Sequence, residues 1–128
     1  ISTSPETMPP AHLVDQVHDA GLSQLNIYHE AAEAVRDAEV LYTDVWASMG
    51  EKEKLKEREQ MLFGFQINQK LLELTNPNSL VMHCLPANRD REITAEVMDG
   101  SRSIVYDQAE NRLHAQKAIL AQLERWRN

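Results

Sequence analysis

Three clusters of polar side chains, each placed after a short apolar run, carry the chemistry open to this sequence. Asp44, with Ser48-Met49-Gly50 just beyond it, follows Val40-Leu41-Tyr42-Thr43. His83-Cys84-Leu85-Pro86 closes the run that begins at Leu80. Asp107-Gln108-Ala109-Glu110-Asn111-Arg112 follows Ser103-Ile104-Val105-Tyr106. A carboxylate such as Asp44 can receive a substrate ammonium group, or can simply cap the segment after it. Arg112 can act as an anion clamp through its fork of donors, although a lone arginine usually lies on a surface. Ser48-Met49-Gly50 is either a plain turn or a closing loop. A single cysteine is more often a buried core thiol than a reactive one. Cys84 cannot pair with His83 as a nucleophilic dyad, because neighbours on a strand point to opposite faces. One cysteine and five scattered histidines (His12, His18, His29, His83, His114) give no metal-ligand spacing. Neither glycine-rich nucleotide fingerprint is present.

The elements that must position these groups follow from periodicity and punctuation. Pro10 opens a helix whose apolar face is Leu13, Val14 and Val17 and whose stop is Gly21. Gln24 to Tyr28 alternates like a short strand, and Glu30 to Ala38 is an alanine-rich helix. Val40 to Thr43 is a strand, residues 47–50 are a loop, and Glu51 to Phe65 is a charged helix with a thin stripe of Leu55, Leu62 and Phe65. Its lysines and glutamates read as a solvated face. Asn68 caps a short helix through Leu74, and Asn76-Pro77-Asn78 is a turn. Leu80 to Leu85 is a strand stopped by Pro86, Thr94 caps a helix ended by Gly100, and Ser103 to Tyr106 is a further strand. A long amphipathic helix closes the chain with Leu113, Ile119, Leu120, Leu123 and Trp126 on its inner side. Helices alternating with short, continuously apolar strands predict an α/β fold with a mostly parallel sheet and helices on both faces. Ligands of such sheets bind at the carboxyl ends of the strands, where all three clusters fall.

Composition narrows the class. The chain has 128 residues, 13 basic and 20 acidic side chains, and a formal charge of −7. That length suits a single domain spanning 1–128. The acidic balance argues against a general nucleic-acid or anionic-membrane binder. No apolar run approaches a membrane span, and no signal-peptide pattern opens the chain. One cysteine excludes an internal disulfide and suits a reducing compartment. The first residue is Ile1 rather than methionine, as expected of a processed product or a fragment.

Taken in order, Tyr42-Thr43-Asp44-Val45-Trp46-Ala47-Ser48-Met49-Gly50, Met82-His83-Cys84-Leu85-Pro86-Ala87 and Asp107 through Ala118 resemble ornithine carbamoyltransferase, of the aspartate/ornithine carbamoyltransferase superfamily. The similarity runs from about Pro5 to about Leu123 and corresponds to the carboxyl-terminal, ornithine-binding part. The resemblance implies transfer of a carbamoyl group from carbamoyl phosphate to the δ-amine of L-ornithine, giving L-citrulline and phosphate. It implies that Asp44, Ser48 and Met49 hold ornithine and that Ser48-Met49-Gly50 closes over it. Cys84 and Leu85 would border ornithine and the carbamoyl group, Arg112 would contact carbamoyl phosphate, and Cys84 and Asp44 would be the catalytic pair. It implies no cofactor and no metal, and a homotrimer assembled chiefly through an amino-terminal domain absent here. The compartment would be the cytoplasm, or the mitochondrial matrix in an animal. The family's Ser-Thr-Arg-Thr loop and the first strand and helix of the ornithine domain have no counterpart in this sequence. That first strand would lie inside the sheet, so unpaired edges and an exposed apolar face are expected. The family pattern also has histidine and glycine where Asn88 and Asp90 stand. Two rival assignments are a carbamoyltransferase for putrescine or an N-acylated ornithine, and a non-catalytic α/β binding module.

Overall fold

Val81 is the centre of the sheet, fully buried between Leu41 of a parallel neighbour on one side and a bridge to Ser103 on the other. In a computed structural model describing residues 1–47, 53 and 55–127, strand β1 (Val40–Thr43) lies parallel to β2 (Leu80–His83), with Val40 opposite Leu80 and Thr43 opposite His83. On its other side Val81 donates its N–H to the Arg102 carbonyl and accepts from Ile104 N–H. The element order is α1 (Ala11–Ala20), α2 (Ala31–Ala34), β1, α3 (Leu55–Leu62), α4 (Gln69–Leu72), β2, α5 (Ala95–Met98) and α6 (Val105–Arg127). Parallel strands joined through helices make this an α/β fold. The expected loop at 48–50 lies outside the described residues, as do 51, 52 and 54 of the charged helix.

Local chemistry explains where the elements begin and end. Gly21, at φ +61°, closes α1 in the left-handed conformation that only glycine adopts cheaply. Asn68 accepts from Leu71 N–H and starts α4; Thr94 accepts from Val97 N–H and starts α5. A Cβ on Gly100 would come within 3.0 Å of the Glu96 carbonyl oxygen, so that stop is tightly packed. Each strand alternates. Leu41, Val81 and His83 face the core, whereas Val40, Tyr42 and Leu80 are exposed. Val35, Ile67, Leu72, Ile93, Val97, Met98 and Val105 complete the core.

Five expectations are corrected. Between Gln24 and Tyr28 only Tyr28 bridges, because its partner segment offers just Ile1 O and Thr3 N–H. The helix expected from Glu30 to Ala38 is confined to Ala31–Ala34, with turn bonds beyond it. The second strand stops at His83, since Leu85 has φ +55° and leaves the extended region. The strand expected over Ser103–Tyr106 is one bridge at Ser103, because Val105 and Tyr106 already belong to α6. Finally, Leu113, Ile119, Leu120, Leu123 and Trp126 are exposed, and Val105 is the buried residue of α6. At about 1.5 Å per residue, a helix of 23 residues extends well past a core that ends at its first turn.

β1 has β2 on one side, and no strand among the described residues pairs with its other side. A cavity of about 440 Å³ runs along that open edge, between Val40–Asp44 and Ile1–Thr3. The buried Ser2 hydroxyl there has no partner among the described residues. An open, cavity-lined edge is what the expected loss of an interior strand would leave. No helix among the described residues is long and apolar enough to cross a membrane.

The contrast between the two apolar sets is directly measurable. Ile93 is fully buried and Leu120 is 67% exposed. Ile93→Ala should cost about 2–5 kcal/mol in urea unfolding, and Leu120→Ala less than about 0.5 kcal/mol. A large loss at Leu120 would mean that α6 packs on the core.

Candidate functional site

The carboxyl end of β2 is held by a carboxylate with no access to water. Glu92 and His83 are both essentially fully buried, and His83 Nε2 lies 3.1 Å from Glu92 Oε1. Leu85 N–H donates to His83 Nδ1 at 2.9 Å. That ring nitrogen therefore carries no proton, and Nε2 is the donor to Glu92. The same Glu92 oxygen accepts from Asn88 N–H. Glu92 is itself pinned by its backbone, since Ile67 N–H donates to its carbonyl at 2.9 Å. Its second oxygen, Oε2, is buried without a hydrogen-bond partner among the described residues. One carboxylate thus fixes both ends of the turn from His83 to Asn88, with Cys84 and Leu85 between them.

That turn stores strain. Leu85 has φ +55°, a region costing a branched side chain about 1–2 kcal/mol. The Leu85 side chain packs against the core, and its N–H is held by His83, so the conformation is over-determined. Asp90 has φ +65° as well. Its carboxylate accepts from Ala95 N–H at 3.0 Å, and aspartate tolerates this region better than most residues. The departure from the family's glycine at this position is therefore compatible with the same backbone. Arg89 then ties the loop to Asp99 through both carboxylate oxygens and reaches the Tyr106 hydroxyl at 3.4 Å. Hydrogen bonds from Arg89 hold the Asp99 carboxyl below the usual carboxylate range.

Cys84 and Asp44 come together. Each stands just past the end of a parallel strand, Thr43 being opposite His83, and the Asp44 carboxylate is near enough to act on the thiol. Burial raises the pKa of Cys84, and the hydrogen bond and charge of Asp44 raise it further. Tyr42 and a backbone hydrogen bond oppose both. Asp44 also accepts from Val45 N–H at 2.7 Å, a bond to the next residue rather than a helix cap. Trp46, two residues on, is buried.

Gln108 draws the third cluster in. Its carbonyl oxygen accepts from His83 N–H at 3.0 Å, and its amide nitrogen lies 3.3 Å from the Tyr42 hydroxyl. Arg112 is exposed and one helical turn beyond Gln108, hence on the same face of α6. Ser48 and Met49 lie outside the described residues. The 440 Å³ cavity includes Asp44 but not Cys84, Leu85 or Arg112, so the site is an open surface at the strand ends. Glu92, Tyr42 and Gln108 were not singled out from sequence. A glutamate eight residues past a strand-end cysteine has no signature of its own, and Tyr42 reads simply as a strand residue. Among the described residues no group of three or more His, Cys, Asp or Glu is placed to hold a metal ion.

Parallel strands with polar groups gathered at their carboxyl ends define an α/β ligand-binding domain. Residues 1–123 match the model of the aspartate/ornithine carbamoyltransferase Asp/Orn binding domain. The chain belongs to the aspartate/ornithine carbamoyltransferase family. It is 52% identical over 123 residues to an ornithine carbamoyltransferase of Methanoculleus marisnigri, covering 96% of this chain and 40% of that protein. A chloroplastic ornithine carbamoyltransferase of Pisum sativum is 48% identical over 112 residues, covering 88% of this chain and 30% of that protein. The solved ornithine carbamoyltransferase of Pyrococcus furiosus superposes with a TM-score of 0.83 at 42% identity, covering 94% of this chain and 39% of that one. The chain therefore spans about two fifths of the length of these relatives or less.

Two perturbations follow from the site's wiring. His83→Ala should destabilise the chain by about 3 kcal/mol or more, because it strands a buried carboxylate; urea unfolding reads this. Asp99 is held low, so its ion pair stabilises fully above the ordinary carboxylate range and is lost as pH falls through its lowered value. Arg89→Ala should flatten the acid side of a melting-temperature profile between about pH 6 and about pH 2. An unchanged profile would mean that the exposed pair contributes nothing.

Proposed function

We propose that this chain is the ornithine-binding portion of an ornithine carbamoyltransferase, which transfers a carbamoyl group from carbamoyl phosphate to the δ-amine of L-ornithine. The observation that carries this is the meeting of Asp44 and Cys84 past the ends of two parallel strands. Asp44 receives the substrate's ammonium group, and the Cys84 sulfur lies beside the path of the reacting amine. The δ-amine attacks the carbamoyl carbon only after losing its proton. A C–N bond forms, the C–O bond to phosphate breaks, and phosphate leaves with the electron pair. Arg112 meets the negative charge that develops on the carbamoyl oxygen and the departing phosphate. Alignment of two substrates supplies most of the acceleration, up to about 7–11 kcal/mol. Ser48 and Met49 complete the ornithine contacts, and Leu85 lines the wall beside Cys84. The whole enzyme is a homotrimer in a reducing compartment, with a role in arginine synthesis.

Calorimetric or NMR titration of the chain with L-ornithine tests the binding half of this assignment. Asp44→Asn should weaken ornithine binding by about tenfold or more, since a charge-assisted contact is worth about 1.5–3 kcal/mol. Putrescine lacks the carboxylate, and N-acetylornithine lacks the α-ammonium group, so both should bind more weakly. Preference for either would move the assignment to a sister carbamoyltransferase, and no binding of any amine would favour a non-catalytic module. Citrulline formation by the 128-residue chain alone should be negligible, because most of the phosphate-binding groups that the family resemblance implies are not in it.

A further inference from the structure

A second set of polar groups gathers at the opposite end of β2 from Asp44 and Cys84. Ser79, just before the strand, is fully buried, and Thr75 is nearly so. The Thr75 hydroxyl donates to the Leu72 carbonyl at 2.8 Å, so at 2.7 Å it accepts from the Ser79 hydroxyl. Both oxygens keep a lone pair, and both face the guanidinium of Arg102. Its Nη1 lies 3.3 Å from Ser79 Oγ, and 3.4 Å from Thr75 Oγ1 and from the Asn76 carbonyl oxygen. All three acceptors are neutral. The other guanidinium nitrogens have no partner, and Arg102 makes no ion pair, among the described residues. Val81 N–H holds the Arg102 carbonyl, so the residue is fixed to the sheet while its charge goes unmatched. A partly buried cation without a counter-charge is costly.

Beside that arginine is a second cavity of about 440 Å³, lined by Arg102, Ser101, Thr75, Glu73, Leu72 and Pro77. Glu73, just past α4, is exposed, and its carboxylate also makes no ion pair or hydrogen bond among the described residues. One cavity thus carries an unmatched cation and an unmatched anion that do not pair with each other. An isolated anion would meet Arg102 but be repelled by Glu73, and an isolated cation would meet the reverse. A ligand carrying both charges close together satisfies both. We propose that this cavity is a binding site for a zwitterionic α-amino acid. Its carboxylate takes the free nitrogens of Arg102 and the Ser101 hydroxyl, and its ammonium group takes Glu73. Thr75, Asn76 and Ser79 orient the guanidinium in advance, which lowers the cost of binding. Arg102 carries most of the affinity, because Glu73 stands at the exposed rim. The site lies away from Asp44 and Cys84 and does not rest on the carbamoyl-transfer assignment.

Backbone-amide NMR titration of the 128-residue chain with L-alanine tests this, with acetate and methylammonium as single-charge probes at matched ionic strength. L-Alanine should give saturating shifts at Ser101, Arg102 and Glu73. Acetate should bind about two- to fivefold more weakly, and methylammonium should not saturate. Arg102→Gln should weaken L-alanine binding by about tenfold or more. Glu73→Gln should weaken L-alanine by about two- to fivefold and leave acetate no weaker. The Glu73 side chain makes no bond among the described residues, so this variant leaves the fold alone even where Arg102→Gln loosens the Thr75–Ser79 pair. The proposal is overturned by titrations that never saturate at these residues, or by L-alanine shifts confined to the region of Asp44 and Cys84. It is equally overturned by acetate binding as tightly as L-alanine, or by a Glu73→Gln variant that binds L-alanine as the wild type does.

Discussion

A buried carboxyl group with two hydrogen-bond donors on one oxygen is the constraint on which the strand-end site depends. Glu92 receives the His83 ring and the Asn88 backbone on one oxygen. Removing a carboxylate from water is costly unless its hydrogen bonds are made. That cost has a structural return. It fixes the tautomer of His83, whose other nitrogen can then accept from Leu85 N–H. Leu85 is thereby held at a positive φ, which a branched residue would not adopt unaided. The sharp turn that follows presents Cys84 to the outer face, while its neighbours on either side remain in the core. The thiol's position is thus a consequence of the buried hydrogen bonds from His83 and Asn88 to Glu92.

Much of this scaffold is legible in the sequence where a side chain satisfies a backbone group close by. Asn68 and Thr94 mark helix starts through side-chain bonds to the amide three residues on, Gly21 marks a stop through its left-handed backbone, and each end falls where those residues predict. The two paired strands are legible because each is a short, continuously apolar run that ends in polar residues. Elements that depend on distant partners are not. The run from Gln24 to Tyr28 alternates like a strand, but Ile1–Thr3 bridges it only at Tyr28. Ser103–Tyr106 has the composition of a strand, yet the helical bond from Gln108 N–H to the Ile104 carbonyl takes its second half. The apolar stripe of α6 has helical period, but a stripe says only that something should cover it. Leu120 and Trp126 have no cover among the described residues.

The site divides along the same line. Asp44 and Cys84 are legible as strand-end polar groups, and the family motif names them together. Their meeting depends on the parallel register, which places Thr43 opposite His83. Glu92 was invisible because its role requires burial, and burial of a glutamate is not expected from sequence. Tyr42 was hidden by its strand propensity, and Gln108 by lying in a motif whose arginine draws attention. The structure reverses that emphasis: within that cluster Gln108 makes the bonds that join α6 to both strands, while Arg112 stands exposed one turn away.

The open edge of β1 and the exposed outer face of the strands belong to one geometry. A strand paired on one side leaves alternate peptide groups without partners on the other. Leu80 N–H donates to the Glu39 carbonyl, so the peptide groups of Glu39 and Leu41 turn toward β2, and those of Val40 and Tyr42 turn outward. Across the cavity, Ile1 and Thr3 spend their groups on Tyr28, which turns Ser2 toward the same space. The cavity is thus bordered by two backbone edges as well as by apolar side chains, and Asp44 sits at its end. Tyr42 is shared between this edge and the first turns of α6. Its backbone borders the open side of the sheet while its hydroxyl accepts from Gln108, so strand pairing along β1 and the docking of α6 act through one residue.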